Sequence, residues 1–335
     1  MEQRRLGSSA NGINVSALGL GCMGMSGMYG PSDRAEGIAT IHAALEAGIT
    51  LLDTGDFYGM GHNEMLIGEA LRGTSRRDQA IVSVKFGALR DPAGGWSGYD
   101  ARPKAVKNFL IYSLTRLGLD HIDIYRPSRL DPDVPIEETI GAIADMVKAG
   151  YVRHIGLSEM GPETIRRAAA IHPIVDLQIE YSLISRSVED RILATCRELG
   201  IGITAYGVLS RGLISGHWQK DALNGPGDFR AHAPRFLGEN VARNLALVDA
   251  LRKIAVEKNV TVAQIAIAWV AAQGTDIVPL IGARRRDRLD EALGALLVSL
   301  SKEDLAAIER AVPKGAAAGE RYAAAQMAQL DSERA

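Results

Sequence analysis

The chain has 335 residues, 47% apolar and 23% charged, a balance that excludes disorder as the main state. With 38 basic and 40 acidic side chains the formal net charge is −2, so no global field gathers nucleic acid or an anionic membrane, and small molecules are the expected partners. Cys22 and Cys196 are the only cysteines and have no CxxC spacing, which excludes a disulfide framework or cysteine zinc site and fits a reducing cytoplasm.

The N-terminus, MEQRRLGSSANG, lacks the apolar stretch of a signal peptide, and no window approaches the roughly 18 apolar residues of a membrane helix. The first β-rich apolar run, Leu18 to Cys22, contains the start of GLGCMG, residues 19 to 24, which satisfies the G-x-G-x-x-G pattern of a dinucleotide-binding turn. That fingerprint needs a helix opening within its glycines. Here Met25 to Ser32 intervenes, with Gly27, Gly30 and Pro31, and helical periodicity begins only after Asp33. The glycines are therefore read as a βα loop.

Further runs follow at Thr50 to Thr54, Ala80 to Phe86, Ile122 to Tyr125, Val152 to Leu157, Val175 to Tyr181, Gly202 to Leu209 and Ile277 to Ile281. Helices are predicted between them, over Arg102 to Gly118, Ile136 to Gly150, Pro162 to Ala170 and Val188 to Gly200. Runs that are apolar throughout, rather than alternating, mark strands buried on both faces, as a parallel sheet wrapped by helices requires. About eight such strands predict an α/β fold of the closed (β/α)8 TIM-barrel class. The expected organisation is a single domain over residues 1–335, with an Ala-rich tail from about residue 314.

Functional groups of such a barrel gather at the C-terminal ends of its strands. Asp53 ends the second run in LLDTGDFYG, Tyr58 follows in the loop, and Lys85 ends the third run in IVSVKFG. A buried lysine is costly unless paired, which predicts an ion pair with Asp53. An ammonium beside Tyr58 lowers its pKa from about 10 and makes the phenol a usable general acid. After the last strand, PLIGARRRDRLDEALGAL concentrates Arg284, Arg285, Arg286 and Arg288 at a helix start, where the helix dipole does not favour cations. The cluster is either a solvated face or a phosphate site, and the second reading suggests an adenine dinucleotide carrying a 2′-phosphate.

The segments LLDTGDFYG…NEMLIGEAL, SVKFG, VPIEETIGAIADMVKAGYVRHIGLSE, LQIEYSL and ITAYGVLSRGLISG resemble, in order, the barrel segments of the aldo-keto reductases. The resemblance implies an NADPH/NADP cofactor across the barrel mouth, no metal, and hydride transfer to an aldehyde or ketone with Tyr58 as proton donor. It places Asp53, Tyr58 and Lys85 in the catalytic tetrad, Ser158 and Gln178 at the nicotinamide amide, and Tyr206 under the nicotinamide ring. Leu209, Arg211 and Gly212 match the pyrophosphate loop, and Gly282, Arg284 and Arg288 the end that holds the 2′-phosphate. Glu159 stands where Asn is frequent, Val208 where Pro is common, and Ala292 where Asn commonly meets adenine.

The fourth strand departs most. In IDIYRPSRLD the residue aligned with the tetrad histidine is Ser128, a smaller and weaker donor on the carbonyl-oxygen side. Arg126, of the same strand parity, is expected to face inward and either serve the substrate or pair with Asp53 or Glu180. Other substrate contacts are expected from Trp96 and from the loop Ser215 to Phe236, with Trp218 and Phe229; His62, beside Tyr58, is a weaker candidate. Alternative activities are oxidation of a hydroxylated or sugar-like alcohol, enone reduction, or a cofactor-binding regulatory subunit. The substrate, the preferred direction and the oligomeric state stay open.

Overall fold

Eight parallel strands close into a barrel: β1 (Gly19–Gly21), β2 (Leu51–Gly55), β3 (Ile81–Phe86), β4 (Ile122–Pro127), β5 (Val152–Ser158), β6 (Ile174–Glu180), β7 (Gly202–Tyr206) and β8 (Ile277–Ile281). Each pairs with the next, and β8 pairs with β1. The structure, a computed structural model, describes residues 1–73, 75–218 and 228–334. Residues 219–227 of the expected substrate loop, and the side chain of Phe229, lie outside the described residues.

The strands form where β-branched and apolar residues run without interruption, and each is followed by helix before the next. Between β1 and the first helix, Arg34–Glu46, the chain makes a short 3-10 turn, Met23–Ser26, so the glycines of GLGCMG do not open a helix. That helix starts at Asp33, whose carboxylate accepts the backbone N–H of Glu36. Helices Pro103–Leu117, Ile136–Lys148 and Pro162–Ile171 lie within a residue or two of expectation. Val188 to Gly200 is instead a 3-10 turn, Ser187–Glu189, and a short helix, Ile192–Glu198, because Arg191 is non-helical. The seventh run stops at Tyr206, not Leu209, since Gly207 at φ +66° turns the chain out of the sheet.

Two antiparallel hairpins were not anticipated. Gln3–Leu6 pairs with Ile13–Ser16 and packs Leu6 and Val15 against Leu51, Ile124, Val175 and Val278 at the N-terminal end of the barrel. Ala88–Arg90 pairs with Trp96–Tyr99 in the loop after β3.

Above that apolar floor the barrel interior is polar. Arg126 is 0% exposed; its Nη2 lies 3.0 Å from Asp176 and donates to Ser83 Oγ at 3.0 Å. Asp176 also accepts the hydroxyl of Thr204. Gly156 makes room for the pair: a Cβ there would lie 2.5 Å from Asp176 Oδ1 and 3.0 Å from Arg126 Nε. This corrects the expectation that Arg126 faces substrate or pairs with Asp53 or Glu180. A fully desolvated guanidinium requires a carboxylate. Asp53 is held by Lys85 and Glu180 by three other arginines, whereas Asp176 is available.

Replacing Arg126 strands a buried carboxylate. Arg126→Met should lower the unfolding free energy by about 3–5 kcal/mol, read from urea denaturation at neutral pH. A loss below about 1 kcal/mol, the scale of an exposed pair, would contradict the assignment.

Candidate active site

Strand register brings the expected residues together. Asp53 lies opposite Ser83, and Gly55 opposite Lys85, so the aspartate and lysine stand two rungs apart on neighbouring strands. Lys85 Nζ reaches back to Asp53 Oδ2 at 2.6 Å, with both side chains almost fully buried. The other carboxylate oxygen, Oδ1, accepts from Gln178 Nε2 at 2.7 Å and from Ser83 Oγ at 3.1 Å. Burial pulls the Lys85 pKa down, opposed by the Asp53 charge. The lysine is thus held by one acid, and the acid by three donors.

Tyr58 enters from the turn Tyr58–Gly61, where Gly59 at φ +56° and Gly61 at φ +90° supply left-handed backbone. Its ring centre lies 5.2 Å from Lys85 Nζ, within cation–π range. The ring also stands edge-on to Phe57, which in turn meets Trp96 of the 88–99 hairpin at 5.6 Å. The expectation that the ammonium lowers the Tyr58 pKa is not met: that pKa is raised well above 10. Burial is the main cause and the Asp53 charge adds to it. The ammonium of Lys85, shared with the carboxylate 2.6 Å away, does not overcome that burial.

Ser158 and Gln178 stand side by side on β5 and β6. The Gln178 amide nitrogen is committed to Asp53, since a carboxylate only accepts, which leaves the amide oxygen as the acceptor toward the mouth. Tyr206 ends β7 and donates its hydroxyl to Glu159 Oε1 at 2.6 Å. Ser128 is 2% exposed and its Oγ has no partner among the described residues.

Beyond β7, Leu209, Arg211 and Gly212 lie in a tight loop, with Ser210 and Arg211 at positive φ. Arg211 pairs with Glu180 at 3.3 Å and stacks on the Tyr322 ring at 4.5 Å. After β8, a Cβ on Gly282 would meet nothing within 4 Å, so the backbone there is open. Arg284 is half-buried, donates to the Pro31 carbonyl at 2.9 Å, and forms no ion pair among the described residues. Burial and the like charges of Arg230 and Arg285 pull its pKa down. Arg288 is engaged with Glu291 at 3.0 Å, Arg285 with Asp287 and Arg286 with Glu36.

Arg126 lies beneath the Asp53–Lys85 pair, away from the mouth. Trp218 is half-buried, edge-on to Phe236 at 5.7 Å and against the hydrophobic core. His62 bonds Ser26 Oγ through Nδ1 at 2.9 Å.

Three residues not singled out in the sequence complete the site. Arg129 follows the end of β4 and turns inward, its Nη1 donating to the Ser128 carbonyl at 2.6 Å and lying 3.5 Å from Ser158 Oγ. Arg321 and Tyr322 belong to the Ala-rich tail. Arg321 is 4% exposed and binds both oxygens of Glu159, at 2.9 and 2.6 Å, as well as Glu333 at 2.7 Å. The Tyr322 hydroxyl lies 2.8 Å from that of Tyr206. Ser332 donates to Glu159 Oε2 at 2.6 Å, and Asn244 exchanges two hydrogen bonds with the Ala318 backbone. Burial raises the Glu159 pKa, but Arg321 outweighs it and holds the carboxyl well below its usual range. Glu159 is thus the anchor that fastens the tail over Tyr206.

Glu159→Gln should weaken that anchor. We expect about 3 kcal/mol less stability in urea unfolding and faster tryptic cleavage after Arg321 under native conditions. Unchanged cleavage kinetics would contradict the anchoring role.

The model of the Aldo/keto reductase family matches residues 17–313. A protein named probable aldo-keto reductase 1, from Glycine max, is 42% identical over 314 residues, covering 93% of this chain and 89% of its own. The aldo-keto reductase yakc [NADP(+)] of Schizosaccharomyces pombe is 40% identical over 311 residues, 92% of each chain. Among solved structures, a glycerol dehydrogenase of Gluconobacter oxydans superposes with a TM-score of 0.83 at 29% identity, covering 92% of this chain and 94% of that one. With the barrel, the strand-end trio and a family match spanning most of its length, this chain belongs to the aldo/keto reductase family and is an NADP-dependent oxidoreductase.

Proposed function

We propose that the chain reduces an aldehyde or ketone with NADPH, and that Tyr58 delivers the proton. The observation that carries this reading is the Tyr58 phenol set against the buried Asp53–Lys85 pair at the ends of consecutive strands. The residues fit the cofactor. Arg284 is a partly desolvated cation among like charges, which a 2′-phosphate would offset, and Gly282 leaves the backbone beside it open. Ser158 and Gln178 would hold the nicotinamide amide, Tyr206 would face the ring, and Leu209, Arg211 and Gly212 would border the pyrophosphate. When bound, the cofactor supplies the hydride.

Tyr58 keeps its proton at neutral pH because burial disfavours its anion. It gives that proton to the carbonyl oxygen as negative charge develops there, an alkoxide being a far stronger base than a phenolate. The Lys85 ammonium then lies close enough to stabilise the tyrosinate until solvent returns the proton. Ser128, buried and unpartnered, donates to the same oxygen in place of the family's histidine. The same groups run backwards oxidise an alcohol, and the likeness to a glycerol dehydrogenase supports that direction as a second activity. Two buried free cysteines agree with a cytoplasmic setting and a small-molecule carbonyl or alcohol as partner.

Tyr58→Phe should lower kcat/KM for aldehyde reduction at least about a hundredfold while NADPH binding changes by no more than about twofold. In the unmodified protein a raised tyrosine pKa means the acid form persists, so reduction should not fall between about pH 7 and 9. Full turnover by the phenylalanine variant would remove Tyr58 from its role.

Arg284→Ala should weaken NADPH binding about tenfold or more with a much smaller effect on NADH, both titrated by quenching of protein fluorescence. Equal loss for the two cofactors would separate Arg284 from the 2′-phosphate.

A further inference from the structure

The charges around the mouth do not balance among themselves. Lys85 has Asp53; Arg211 and Arg235 have Glu180; Arg321 has Glu159 and Glu333; Arg126 has Asp176 below. Arg129 has none: among the described residues no carboxylate lies within 4.0 Å of its guanidinium. Its one firm bond, to the carbonyl of Ser128, uses a single N–H of a group that carries five. The acid that acts on it electrostatically, Glu159, is already gripped on both oxygens by Arg321 and further bonded by Ser332 and Tyr206. The other groups in reach are the phenols of Tyr99, Tyr206 and Tyr322, and burial favours the neutral form of Tyr99 and Tyr206.

An arginine held half-buried with no carboxylate in contact leaves most of its N–H donors without a firm acceptor, so an anion is the missing contact partner. The cofactor's phosphates do not fill this role. Their expected positions run from the 209–212 loop to Arg284, whereas Arg129 borders Ser158 and Ser128, at the nicotinamide and proton-donor end.

We infer that Arg129 binds an anionic group carried by the substrate, so that the preferred substrates are aldehydes or ketones bearing a carboxylate or a phosphate. The inference rests on the carbonyl-reduction reading for the identity of the reacting group, but the anion site stands on the unpaired guanidinium alone. Arg129 then sets specificity by holding the charged end of the molecule while the carbonyl meets Tyr58. A bidentate guanidinium contact to a planar carboxylate or a phosphate fixes orientation as well as affinity.

Matched substrates test this with the NADPH-loaded protein: succinic semialdehyde against butanal for a carboxylate, and glyceraldehyde 3-phosphate against glyceraldehyde for a phosphate. The charged member of at least one pair should have the higher kcat/KM by about tenfold or more, mainly through KM, and the pair that responds identifies the anion. In Arg129→Met that ratio should fall to near parity, and in Arg129→Lys part of it should return. A purely structural arginine would not change the charged-to-neutral ratio. Binding of acetate and inorganic phosphate to the NADPH-loaded protein, by calorimetry, gives a readout independent of turnover; at least one should bind, and the binding should be lost in Arg129→Met. If no aldehyde is reduced but an anion binds through Arg129, the carbonyl reading fails and the anion site stands. If neutral substrates are preferred, or Arg129→Met keeps the parent ratio and the parent anion binding, the inference is overturned.

Discussion

A lysine inside a barrel stays charged only against a carboxylate, and the 2.6 Å contact between Lys85 and Asp53 is the constraint around which the site is arranged. The carboxylate uses its second oxygen to accept from Gln178 and Ser83, so a single buried acid ties β2 to β3 and to β6 across the barrel. Those bonds fix where Lys85 Nζ stands, and therefore which face of the Tyr58 ring meets a cation. Because the pair is neutral as a unit, it does not drain the proton from Tyr58 in the resting protein. It acts when the phenol gives up that proton and an anion appears beside the ammonium.

The remaining interior charges follow the same logic at different heights. Arg126 and Asp176, with Thr204 and the space left by Gly156, fill the layer below. At the rim, Glu180 gathers Arg211, Arg235 and Arg321, and Glu159 and Glu333 also hold Arg321. Burying these ions is tolerable because each has an oppositely charged partner in contact. The arrangement also ties the C-terminal tail, the 207–212 loop and Tyr206 into one network, so the ring expected under the nicotinamide is positioned by residues from three distant parts of the chain. Arg129 stands outside these pairings, which is why its surroundings point to a ligand and not to the fold.

Much of this was legible in the residues. The barrel strands could be read because each is buried on both faces and therefore apolar throughout; the short hairpins at residues 3–16 and 88–99 could not, since few of their residues alternate cleanly. Asp53, Tyr58 and Lys85 were visible as polar residues interrupting apolar strand ends. Strand parity pointed Arg126 inward correctly, but parity says nothing of depth, and length let its guanidinium reach down to Asp176. Arg129 lies past the last residue of β4, where alternation no longer applies. Arg321 and Tyr322 were hidden in an Ala-rich tail whose composition suggests an appendage, and only the fold brings them to Glu159 and Tyr206. The direction of the Tyr58 shift was misjudged for a related reason: the charge on Lys85 was visible, while its neutralisation and the depth of burial were not.

The account depends on Lys85 acting through charge at the chemical step and not through packing alone. The most direct measurement is the single-turnover rate of aldehyde reduction by NADPH-loaded Lys85→Met, which removes the ammonium while keeping an unbranched apolar stem of similar length. A fall of at least about a hundredfold in that rate, with NADPH affinity within about twofold of the parent, is the predicted result. A variant that binds cofactor and reduces the aldehyde at the parental rate would contradict the central role of the Asp53–Lys85 pair.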